Sequence, residues 1–108
     1  MARSYSLNHL LERLLGDDAG ELHVLPESPP YFVVRDDRVA VGSTSLTNDN
    51  IADLLCKLAT VDQMRELNAC GDVQFIYLFR NWVRFSIVAS IAHGDFSIRI
   101  KNLGRWSV

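Results

Sequence analysis

Lysine is scarce in this chain: Lys57 and Lys101 are the only two, and the 11 basic residues are outnumbered by 13 acidic ones for a formal charge of −2. No broad cationic face is therefore available to neutralise a run of phosphates, and nucleic acid is not an expected partner. Cysteine is equally rare. Cys56 and Cys70 are too few and too far apart for a zinc knuckle or a CxxC redox pair, and both lie in helical patterns, so they read as buried free thiols. No apolar run approaches the ~20 residues that span a bilayer, and the N-terminal stretch has no signal-peptide core. Membrane insertion is not expected, and a cytoplasmic location is. With 108 residues and 48% hydrophobic content, the chain is most economically one domain that buries a single core without a metal or disulfide staple.

What the sequence does have is alternation, concentrated between Val73 and Lys101. Val73, Phe75, Tyr77 and Phe79 alternate with Gln74, Ile76 and Leu78. Val83, Phe85, Ile87, Ala89 and Ile91 then alternate with Trp82, Arg84, Ser86, Val88 and Ser90. Phe96, Ile98 and Ile100 face one way while Asp95, Ser97, Arg99 and Lys101 face the other. Period two over three consecutive runs predicts strands of a sheet with one buried face. Arg80-Asn81 separates the first pair and His93-Gly94-Asp95 the second, with Gly94 free to take the positive φ that hairpins often demand. This antiparallel meander forms one wall of a core, and the earlier residues must supply the other.

Those earlier residues begin with Leu7, Leu10, Leu11, Leu14 and Leu15, one stripe of a short amphipathic helix with Ser6 as its cap and Gly16 as its stop. A polar bend, Asp17 to Gly20, leads to a strand with Leu22 and Val24 inward and His23 outward. Pro26, Pro29 and Pro30 make residues 25–30 a loop. Tyr31 to Arg35 and Arg38 to Gly42 read as two strands joined by Asp36-Asp37, a turn whose second member would prefer to be glycine. Thr47 caps a second helix carrying Ile51, Leu54, Leu55 and Leu58. Thr60-x-x-Gln63 is a capping box that opens a third helix with Val61, Met64 and Leu67, which Gly71 ends. The order is one helix, three strands, two helices and three strands. Without helices inside either strand trio, an α+β fold of two layers follows, with a mostly antiparallel sheet of about six strands and helices on one face.

Several local strings, in this order, resemble the PAS-like N-terminal domain of the secretion ATPases of type IV pilus extension and retraction, twitching motility and type II secretion. Ala19-Gly20-Glu21-Leu22-His23 stands where that family has Ala-Ser-Asp-(Leu/Ile)-His. Pro29-Pro30 and Arg35-Asp36-Asp37-Arg38 occupy the place of its Pro-Pro pair and Arg-(Val/Ile)-Asp-Gly hairpin. Leu46-Thr47 is similar to its Leu-Thr helix start, Val83 to Val88 to its Ala-Arg-Phe-Arg-Val-Asn string, and Ile98-Arg99-Ile100 to its closing strand. The likeness spans about Leu7 to Lys101 as core, leaving 102–108 as a tail. It implies a protein-interaction and assembly module that docks on a RecA-like ATPase domain or another part of a motility machine, with self-association as a further option. The departures limit the inheritance. There is no Gly-Lys dipeptide, hence no Walker A loop to cradle nucleotide phosphates, and no enzyme activity is expected of this chain alone. Ser86 replaces the second arginine of the Arg-Phe-Arg string, and the family's Asn-Arg-Gly turn is His93-Gly94-Asp95. A nucleotide-sensing role is weakened accordingly.

The candidate interaction residues are His23, Trp82, Arg84 and Arg99. His23 sits outward at the family's signature position, the plain alternative being a surface histidine with a local hydrogen bond. Trp82, Arg84 and Arg99 are expected to share the face opposite Phe85 and Ile98, the residue types enriched where proteins bind proteins; the plain alternative is that helices cover that face and the arginines snorkel to its rim. Trp106 is a further exposed-aromatic candidate, with a disordered tail as the alternative. No cofactor or metal is implied: His9 and His93 lack a third ligand at metal spacing. Asp17-Asp18 and Asp36-Asp37 have no nucleophile beside them and belong to turns. Asn48-Asp49-Asn50 lacks the sixth-position glycine and twelfth-position glutamate of a calcium loop. A second reading is a PAS-like small-ligand sensor with its pocket between sheet and helices, although the inward positions offer few polar groups to define one.

Overall fold

The computed structural model describes residues 6–16, 20–80 and 83–105. The elements follow the expected order: α1 (Leu7–Gly16), β1 (Glu21–Val24), β2 (Tyr31–Val34), β3 (Asp37–Ala40), α2 (Asn48–Leu58), α3 (Val61–Cys70), β4 (Asp72–Phe79), β5 (Val83–Ala92) and β6 (Asp95–Arg105). The strands form one sheet in the order β3-β2-β1-β6-β5-β4. Each neighbouring pair is antiparallel. The fold is α+β, with the helices on one side of this six-stranded sheet.

The helices form where the sequence places their caps. The Thr47 and Thr60 hydroxyls accept from the backbone N–H of Asn50 and Gln63, whose side chains accept in return from the cap N–H groups. These reciprocal bonds satisfy orphan donors of the first turn. Gly71 ends α3 at φ 88°, a conformation that costs glycine little. Apolar periodicity then builds the core. Leu10, Leu11 and Leu14 from α1 and Ile51, Leu55 and Leu58 from α2 meet Leu22, Phe32, Phe85, Ile87 and Ile100 from the sheet, all of them buried. Asn48, in the first turn of α2, ties this layer to the last hairpin. Its Nδ2 donates to the Gly94 carbonyl at 2.8 Å, and its Oδ1 accepts from the Phe96 N–H at 2.7 Å.

The structure corrects several local readings. Arg35 and Asp36, at φ 51° and 71°, form the β2–β3 turn, and Asp37 is already paired with Val34. The turn therefore sits one residue earlier than Asp36-Asp37, because positive φ is needed at both central positions. Asp95 likewise belongs to β6, pairing with Ala92 across the two-residue turn His93-Gly94. Phe79 pairs with Val83, and Asn81 and Trp82 between them lie outside the described residues. The strand continues past Lys101 to Arg105, taking in part of the expected tail. It does so through a register shift at Arg84/Phe85, with Gly104 at φ 92°.

Both cysteines are exposed, against the expectation of burial. Cys56 lies off the stripe made by Ile51, Leu54, Leu55 and Leu58, and α3, which ends in Cys70, has Leu67 as its buried residue. Val61 is also outside the core, at 74% exposure. The expected Asp17-Asp18 bend falls outside the described residues.

Candidate interaction surface

Alternation along each strand sends one set of side chains into the helical layer and the other onto a face that no described helix covers. On β1 and β6 the buried set is Leu22, Val24, Ile98 and Ile100; the other set is Glu21, His23, Arg99 and Lys101. Pairing of β1 with β6 puts Glu21 opposite Lys101 and His23 opposite Arg99. On the other side of β1, His23 is opposite Tyr31, which pairs in turn with Ala40.

The result is a continuous polar and aromatic row across four strands. The Arg38 guanidinium lies 5.0 Å over the Tyr31 ring, and that ring is stacked on the His23 imidazole, 5.0 Å between centroids and 2° from parallel. His23 Nε2 is 3.6 Å from Glu21 Oε1, which is 3.8 Å from Arg99 Nε. Burial lowers the His23 pKa below its ordinary value of 6.5, Glu21 pulls it back up, and Arg99 and Arg38 push it down again. The imidazole is therefore neutral at pH 7 and able both to donate and to accept a hydrogen bond.

Two shallow concavities lie on this face. One, of about 470 Å³, is lined by Glu21, Gln74, Ser86, Val88, Arg99, Lys101 and Leu103. The other, about 280 Å³, is bounded by His23, Leu25, Ser90 and Ser97 and shares Val88 and Arg99 with the first. Toward β4 the face turns apolar: Ile76 is 55% exposed and Leu78 43%. Such a surface can bind by charge, by aromatic stacking and by apolar contact in one patch.

Of the expected site residues, His23 and Arg99 come together as cross-strand neighbours. Arg84 is half-buried and opposite Gly104, whereas Arg99 is opposite Val88. Four residues of strand, about 13 Å, therefore separate the two arginine positions. Trp82 and Trp106 lie outside the described residues. Glu21, Tyr31, Arg38 and Lys101 were not singled out by their sequence. Their alternation placed them on the outward face, but the pairing of β1 with β2 on one side and with β6 on the other assembles them around His23.

No family model matches the sequence, and no curated protein matches it at a significant level. Solved structures do match its fold. The pilus retraction motor PilT, determined with bound ADP, superimposes with a TM-score of 0.81 at 14% identity, over 90% of this chain and 29% of that one. The ATPase DotB of Legionella pneumophila gives 0.74 at 18% identity, over 89% and 28% of the two chains. The Yersinia pseudotuberculosis DotB gives 0.68 at 11% identity, over 94% and 32%. This chain thus spans about a third of the length of each of these proteins or less, and it has the fold of a segment of the pilus retraction motor PilT and of the ATPase DotB.

Proposed function

We propose that this chain is a non-catalytic interaction and assembly module of a pilus or secretion machine, docking through the uncovered face of its sheet on a RecA-like ATPase domain or a comparable protein partner. The observation that carries this reading is the asymmetry of the sheet. One face is sealed by leucine-rich helices, and the other presents Arg38, Tyr31, His23, Arg99 and Lys101 in one patch with exposed Ile76 and Leu78 beside it. Arginine and tyrosine at such a face are the residue types that anchor protein contacts. The fold shared with PilT and DotB supports the choice of partner, because in this reading the chain supplies what a segment of those ATPases supplies to its own motor.

No nucleotide hydrolysis is assigned to the module, since the sequence has no Gly-Lys phosphate loop. A small-ligand sensor would need polar groups converging between sheet and helices, and the core side chains buried there are leucine, isoleucine, valine, phenylalanine and alanine. The test is a calorimetric titration of the purified chain into a RecA-like secretion-ATPase domain. Arg99→Glu is expected to weaken binding about tenfold or more without moving the melting temperature, as loss of a charged interface contact does. Absence of binding, or binding indifferent to Arg99 and Lys101 reversal, would reject the docking role.

A further inference from the structure

The two edges of the sheet are guarded differently. Edge strand β3 is four residues long, exposed throughout, and begins with the charged pair Asp37-Arg38. These are ordinary defences against edge-to-edge association. Edge strand β4 is eight residues long, keeps unbroken register with β5, and has no charge or proline from Val73 to Phe79. Its side chains on the uncovered face include Ile76 and Leu78, both exposed.

The direction of the outward backbone groups of β4, which pair with no strand among the described residues, follows from its pairing with β5. The Ile91 N–H donates to the Gly71 carbonyl at 2.8 Å, just before β4 begins. In an antiparallel ladder, hydrogen-bonded pairs recur every second residue. Val73, Phe75, Tyr77 and Phe79 therefore exchange bonds with β5, and Gln74, Ile76 and Leu78 turn their N–H and C=O groups toward the open edge.

We propose that β4 is a homodimer edge: two copies of this chain pair antiparallel through it, about a two-fold axis at Ile76, to make one twelve-stranded sheet. In that register Ile76 faces the partner's Ile76 and Gln74 faces the partner's Leu78. Every member is even-numbered, so the outward backbone groups of both copies meet as hydrogen-bonded pairs. The sequence also complements itself electrostatically. The strand opens with Asp72, and Arg80 follows its last residue. Antiparallel pairing brings each Asp72 to the end of the partner's strand, where Arg80 turns out of the ladder at φ 53°, whereas parallel pairing would bring like charges together. Arg80 already bonds Glu12 and lies over the Phe79 ring. A guanidinium has five N–H donors, enough to donate to a second carboxylate.

This interface needs no ATPase, so its test is independent of the docking role. Sedimentation velocity on the chain alone, over a concentration series, is expected to show conversion from 12.2 kDa to twice that mass. Ile76→Lys should hold it monomeric with an unchanged melting temperature, because the side chain is exposed in the monomer. Ile76→Cys in a C56S/C70S background should form an intermolecular disulfide under mild oxidation, since residues directly opposite in a hydrogen-bonded pair lie about 5.5 Å apart at Cα, within disulfide reach. Val39→Cys on the other edge should not. A monomer at all concentrations, a dimer insensitive to Ile76→Lys, or equal cross-linking at positions 39 and 76 would overturn the proposal.

Discussion

The two faces of the sheet are made from the same strands yet follow different rules. Along β5, Phe85, Ile87 and Ala89 are fully buried beneath the helices, while Arg84, Val88 and Ser90, which alternate with them, are only half-buried on a face that no described helix covers, and Ser86 alone of that outward set is buried. The first set is fixed by shape, because a close-packed interior penalises any change of volume. The second is fixed by what it presents to solvent, so its substitutions should register in binding before they register in folding.

Phe85→Ala is the strongest way to test that division. It empties the centre of the helix-covered face and is expected to cost about 3–5 kcal/mol in chemical denaturation, as large-to-small core changes do. A cost below about 1 kcal/mol would mean that the core is not packed as described. Asn48→Ala comes next. It removes both hydrogen bonds that hold the β5–β6 turn to α2, with an expected loss of about 1–3 kcal/mol and faster amide exchange at Phe96.

On the uncovered face, Arg99→Ala should change stability by less than about 0.5 kcal/mol, because the side chain is 55% exposed and its contact with Glu21 is long. A larger loss would place Arg99 among the residues that hold the fold. The smallest effect belongs to His23. Its folded pKa lies below the ordinary 6.5, so the unfolded chain binds the proton more readily. Stability contributed by the neutral imidazole is full above pH 6.5 and declines as pH falls from there toward the lowered folded value. His23→Gln should flatten that part of the pH–stability profile, measured by urea unfolding at closely spaced pH values. An unchanged acid slope would show that burial does not govern this histidine.

Much of the covered face was legible because its signals are local. The stripe Leu7, Leu10, Leu11, Leu14 and the boxes Thr47/Asn50 and Thr60/Gln63 act within one or two helical turns, and Gly71 acts on its own φ. Where local signals compete, neighbouring residues do not decide the outcome. Asp36 and Asp37 are equally good turn residues, and only the pairing of Val34 with Asp37 decides which of them turns. Cys56 and Cys70 share hydrophobic character with their neighbours, but their exposure depends on the angle each helix presents to the sheet.

The interaction surface was legible only in halves. Alternation put His23 outward on β1 and Arg99 outward on β6, with no indication that residues 76 positions apart would be cross-strand partners. Arg84 lies nearer in sequence to Arg99, yet the shift at Arg84/Phe85 and the length of β5 keep the two apart.

The sequence by itself determined the elements, their caps and which side of each strand is apolar, because propensity and period are properties of neighbouring residues. The tertiary structure alone decided that β1 lies beside β6, and with it the row around His23 and the choice of β3 and β4 as the outer edges. Strand order depends on which distant backbone groups find partners and which apolar faces one helical layer can cover together, and both are settled only when the whole chain is in place.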